Sequence, residues 1–195
     1  MALPDLRAFY GDDLHVGLMS IDDQNQSPLL RSILENLEAV VHLTYMGTPE
    51  GFLRVMGAGA FPEYLIISCH GDEGGICFGD YAEGIDVSTL VDGNMPSRHI
   101  AERGSLGGTF VINTGCGLGV ETVAADFLKA GARAYIGCQP DPDWRAHSLF
   151  IHHFFYALVR AQASDKEAWK QAASYDKDSR CFVYYDSEGC HRISS

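Results

Sequence analysis

The sequence is poor in positive charge: 14 Lys and Arg stand against 26 Asp and Glu, giving a formal charge of -12. No run or patch of basic residues offsets this, which argues against a nucleic-acid partner and against anionic membranes. Long hydrophobic runs are also missing, and the longest is too short to span a bilayer. The opening stretch MALPDLRAFYGDDLHVGLMS lacks a basic segment leading into an uninterrupted apolar one, so no secretory signal is expected and the reading is cytoplasmic. The six cysteines, at 69, 77, 116, 138, 181 and 190, contain no CxxC pair. Most fall in segments that read as core strands, and in a cytoplasm they would stay reduced. There is no internal repeat, linker or low-complexity tract.

What is present suits one globular domain over residues 1–195. At 46% hydrophobic and 21% charged, the chain can bury a full core. Apolar runs alternate with helix-like segments, the pattern of an α/β protein whose central sheet is mostly parallel. Strands are predicted at 14–21, 40–46, 63–70, 109–116 and 132–138, with a last one in CFVYYD, about six in all. Helices are predicted between them. Ser27 and Pro28 would start the first, with Leu30, Ile33, Leu34 and Leu37 facing the core. Thr48 and Pro49 repeat the cap-then-proline signal, and Gly131 closes the helix after the fourth strand. In the long helix after residue 143, Leu149, Phe150, Phe154, Leu158 and Val159 form the apolar face. The glycine- and aspartate-rich insert at 72–108 suggests a small hairpin before a short helix near 95–103.

Two strands end alike, with an apolar run, a reactive side chain and a glycine. YLIISCHGDEGG closes the third strand on His70-Gly71, and FVINTGCGLG closes the fourth on Cys116-Gly117. In an open parallel sheet the C-terminal strand ends line the edge where ligands bind. An imidazole and a thiol on neighbouring loops suit acyl transfer. The histidine can take the thiol proton and return it to the leaving amine, while the N–H groups of Gly71 and Cys116 are candidate oxyanion donors.

A strand ending in His-Gly, followed 116 − 70 = 46 residues later by one ending in a small residue and Cys, resembles the caspase-like clan of cysteine peptidases. Its members include caspases, metacaspases, gingipains, separase and the bacterial CHAT domains. The run FLKAGARAYIGCQPDPDWRAHSLFIHHFFYALVRA is similar to that of CHAT domains, and the likeness extends over about residues 14–185. The resemblance implies a three-layer, caspase-like sandwich and peptide-bond hydrolysis with His70 as general base and acid and Cys116 as nucleophile. It implies a protein or peptide substrate and no metal or organic cofactor. Calcium or autocleavage regulates some members, which leaves room for an activating partner protein. The clan usually has Ala or Ser where this chain has Gly115.

The clan also places an acidic residue at the end of the first strand in its specificity pocket. Asp22 and Asp23 occupy that position here, with Asp141, Asp143 and Trp144 in the loop after the fifth strand. Carboxylates opposite a flat aromatic favour Arg or Lys before the cleaved bond.

Other readings remain open. The same cleft could bind a protein or peptide without cleaving it, and a doubly wound sheet could hold a flavin or nucleotide, although no glycine fingerprint follows the first strand. Cys69 should face away from His70 as core filler, by strand alternation. Cys138 is a rival thiol without an adjacent glycine. His147, His152 and His153 lack the i, i+4 spacing of helical zinc ligands and read as solvated or hydrogen-bonded. TGCGLG fits neither a nucleophile elbow nor a phosphate loop.

Overall fold

The structure, a computed structural model, describes residues 14–23, 25–139 and 143–194. In chain order its elements begin with β1 (His15–Ile21), α1 (Gln26–Asn36), β2 (Val40–Tyr45), α2 (Pro49–Met56) and β3 (Tyr64–Asp72). The insert forms β4 (Gly75–Cys77), β5 (Asn94–Met95) and α3 (Arg98–Arg103). There follow β6 (Phe110–Asn113), α4 (Glu121–Lys129), β7 (Ala134–Cys138), α5 (Arg145–Ala161), α6 (Asp165–Ala173), β8 (Phe182–Asp186) and β9 (Gly189–His191).

The main path of the sheet runs β2-β1-β3-β6-β7-β8-β9. The first five strands are parallel to their neighbours, while β8 and β9 are antiparallel. Each parallel step is made through a helix, as a crossover requires. One sheet face packs Leu18, Ile66, Phe110 and Ile136 against α1, α5 and α6, through Leu30, Phe154 and Trp169. The other packs Met19, Ile67 and Val111 against α2, α3 and α4, through Phe52, Ile100 and Phe127. The strands therefore alternate residue by residue between two cores, because β-strand side chains point to opposite faces. The result is a helix–sheet–helix sandwich with a mostly parallel centre.

Several expectations shift in detail. The insert forms the small hairpin expected there, with β4 pairing β5 ahead of α3, and β9 adds an edge, so the expected central sheet of about six strands grows to a nine-stranded sheet. β3 does not stop at His70: it continues to Asp72 and turns back through β4, pairing His70 with Cys77 and Gly71 with Ile76. β6 ends at Asn113, three residues before Cys116. Ser27 does not cap α1. The helix begins at Gln26, two residues before Pro28, Asp23 Oδ1 accepts the Gln26 amide at 3.0 Å, and Ser27 is buried inside the first turn. On α5 the buried stripe is His147, Phe150, Ile151, Phe154 and Phe155, while Leu149, Leu158 and Val159 are only half-buried.

Thr48 does cap α2, its hydroxyl accepting the Gly51 amide at 3.1 Å. Thr48→Ala should therefore lower stability by about 1 kcal/mol, read from urea unfolding, because one orphan helix donor loses its partner.

Candidate functional site

The C-terminal edge of the parallel strands gathers the reactive side chains. Ser68 and His70 follow Ile66 by twos along β3, on the side of the sheet covered by α1 and α5. Cys69 turns the other way, buried with Ile67 and Ile76, as alternation requires. Burial pushes its thiol well above the usual range.

His70 is exposed at the rim, in the part of β3 that pairs with β4. Cys116 is half-buried in the turn after β6. Their loops touch through Gly71: a Cβ there would sit 2.8 Å from the Cys116 carbonyl oxygen and 2.8 Å from Leu118, so only glycine admits this approach. The same argument explains Gly115. A Cβ at that position would lie 2.5 Å from Leu118 Cδ1 and 3.0 Å from Cys69 Sγ. Leu118 and Cys69 thus fill the space that an Ala or Ser side chain would need.

The turn is anchored on all sides. Asn113 Oδ1 accepts the Gly115 amide at 2.9 Å and also faces Cys69 Sγ at 3.3 Å. The hydroxyls of Tyr135 and Tyr185 donate to the carbonyls of Leu118 and Gly119, both at 2.9 Å, and the Gly119 amide donates to the Cys138 carbonyl at 2.7 Å. Nearby, burial first, and then the Asp72 carboxylate and the Cys116 thiol, push Cys77 up to about 11. A reactive group on this turn would be held in place by buried backbone bonds rather than by surface contacts.

The expected acidic pocket is arranged differently from an open one. Asp23 is half-buried and committed: its Oδ2 accepts the Ser68 hydroxyl, and its Oδ1 accepts the Gln26 amide at the start of α1. Asp22 is exposed, has φ +49°, and its carboxylate helps raise the Tyr81 hydroxyl, so it looks toward the insert. Asp143 is bound by Arg145, through the backbone amide at 3.0 Å and the guanidinium at 3.1 Å. The same guanidinium lies 5.0 Å from the centroid of the exposed Trp144 ring. Arg145 thus occupies the place expected for a basic substrate side chain. Asp141 lies outside the described residues.

Sequence reasoning set His147 aside, yet this histidine stands inside the edge. It is buried, with Nε2 3.6 Å from Cys138 Sγ. Burial lowers it to about 4 from an ordinary 6.5, against the opposing pull of the Asp23 and Asp143 carboxylates and with His70 acting in the lowering direction. The signal was its place on the α5 stripe with Phe150 and Phe154, spaced i, i+3, i+7. Because the folded value lies below the unfolded one, neutral His147 stabilises the fold fully above pH 6.5, and this is lost as pH falls from 6.5 through 4. The contribution is about 3 kcal/mol over that window. Urea unfolding at pH 7.5 and 4.5 should show this loss, and His147→Gln should reduce the difference between the two.

Cys138 itself is fully buried, its thiol raised by the neighbouring Cys181 and by burial, so it cannot reach a substrate. Among the described residues the potential metal ligands brought together are Asp186, Glu188 and His191, at the β8–β9 hairpin. Lys166 already meets Glu188 at 2.7 Å, and His191 meets Asp186 at 3.0 Å, which satisfies these groups without an ion. His152 and His153 are half-buried in a ring cluster with Tyr156 and Tyr175. No helix among the described residues is long and apolar enough to cross a membrane. Compared with known proteins, the chain matches no protein-family model and no curated protein.

Proposed function

We propose that the protein is a cytoplasmic cysteine endopeptidase of caspase-like fold, with Cys116 as nucleophile and His70 as proton shuttle. The observation that carries this reading is the contact of the two loops at Gly71, which brings the His70 strand against the backbone of Cys116. In the first step the Cys116 sulfur attacks a peptide carbonyl and His70 protonates the departing amine. Water then hydrolyses the thioester with His70 as base, and the amides of Gly71 and Cys116 are the oxyanion donors.

A cleft of about 1030 Å³ adjoins the turn and includes Asp72, Glu73, Asp92, Arg98, Gly117 and Asp126 in its lining. Four carboxylates against one guanidinium favour a cationic peptide, which supports Arg or Lys before the cleaved bond. The recognition then draws on this cleft, rather than on Asp143 and Trp144, which hold Arg145. An activating partner protein would act on the same edge.

A second reading, a binding module that does not cleave, rests on Gly115, which precedes Cys116 where the resembled clan usually has Ala or Ser. The test is turnover of a peptide library varied at the residue before the scissile bond. Cleavage after Arg or Lys supports the peptidase. Saturable binding of the same peptides without cleavage supports the module.

A further inference from the structure

Cys138 and Cys181 lie 43 residues apart in sequence and side by side in space. Their sulfurs are 3.3 Å apart, and a disulfide bond needs about 2.0 Å, so roughly 1.3 Å of closure joins them. The backbone already fixes their approach. Cys138 pairs with Phe182 in the β7–β8 ladder, and the Gln139 amide donates to the Cys181 carbonyl at 2.9 Å. The two thiols also differ in access. Cys138 has no exposed surface, whereas Cys181 is half-buried and open to a small reagent. On the far side of Cys138, His147 Nε2 stands 3.6 Å from the sulfur. The peptidase reading uses neither thiol.

We propose that Cys138 and Cys181 form a reversible oxidation site, converted to an intramolecular disulfide by exchange with a low-molecular-weight disulfide such as oxidised glutathione. Cys181, as thiolate, attacks one sulfur of the small disulfide, breaking its S–S bond and releasing one small thiolate. Cys138 then attacks the Cys181 sulfur, and its proton passes to the second small thiolate as that group departs. Two electrons pass from the protein thiols to the small disulfide, and the two protons end on the two released thiols.

The test treats the fully reduced chain with oxidised glutathione under native conditions, followed by thiol counting, intact mass and peptide mapping. The expected result is a species lacking two hydrogens, with a 138–181 linked peptide and both thiols restored by dithiothreitol. Cys181→Ser, if folded, should lose the linked peptide and leave Cys138 free. The proposal is overturned if Cys138 and Cys181 stay reduced under conditions that modify the exposed Cys190, or if Cys181 stops at a stable glutathione adduct. Neither result bears on cleavage by Cys116, so this site and the peptidase reading stand or fall separately.

Discussion

Cys116→Ala should remove peptide cleavage, lowering turnover by about 10⁴-fold or more, because without the sulfur no thioester can form and only binding remains. His70→Ala should lower it by about 10²–10⁴-fold, the usual range for a lost general acid–base group. Neither change should disturb the fold: His70 is exposed at the rim and Cys116 is half-buried in a turn held by Asn113, Tyr135 and Tyr185. Circular dichroism and urea midpoints near the wild-type values, alongside absent turnover, would assign both effects to chemistry. Combining the two substitutions should cost little beyond Cys116→Ala alone, since residues acting as one unit are strongly non-additive.

The largest loss of stability is expected in the core between α5 and the sheet. Phe150 is fully buried and stacks on Phe182 with ring centroids 4.0 Å apart and planes 13° from parallel, and Phe154 extends the stack at 6.1 Å. Phe150→Ala should lower stability by about 3–5 kcal/mol, through lost burial and the cavity left in a close-packed core. Against a total of about 5–15 kcal/mol this is enough to bring the chain near unfolding at 37 °C. Tyr156→Ala, on the same helix but half exposed at 50%, should shift the urea midpoint far less. Equal losses in the two variants would mean that α5 is not seated as described.

Much of this architecture is legible in the residues. The apolar runs around Leu18, Ile66, Val111 and Ile136 are buried on both faces, as parallel strands between helices must be, so their continuous hydrophobicity marks them clearly. Thr48-Pro49 likewise marks a helix start by a local bond. The bond from the Gln26 amide to Asp23 was not legible, because Ser27-Pro28 offers the stronger local signal while Asp23 is held by the Ser68 hydroxyl on the neighbouring strand. The continuation of β3 past His70 was hidden for a similar reason. Gly71 and the acidic residues read as loop, and only pairing with Ile76 and Cys77 keeps them extended. The helical spacing of His147 with Phe150 and Phe154 marks its burial, but its approach to Cys138 and the Cys138–Cys181 pair depend on contacts between distant segments, which no spacing along the chain encodes. Arg145, two residues beyond Asp143, shows the converse: a neighbour visible in the sequence occupies the pocket that its carboxylate and Trp144 were expected to offer.

The reactivity of Cys116 tests the central claim most directly. The measurement is its rate of alkylation by iodoacetamide as a function of pH, followed by mass spectrometry on the native chain alongside the other five cysteines. A thiol paired with His70 should be modified faster than the rest at pH 6–7, and His70→Ala should return its rate to that of an ordinary exposed thiol. Alkylation of Cys116 no faster than Cys190, and unchanged in His70→Ala, would contradict the pairing and with it the peptidase.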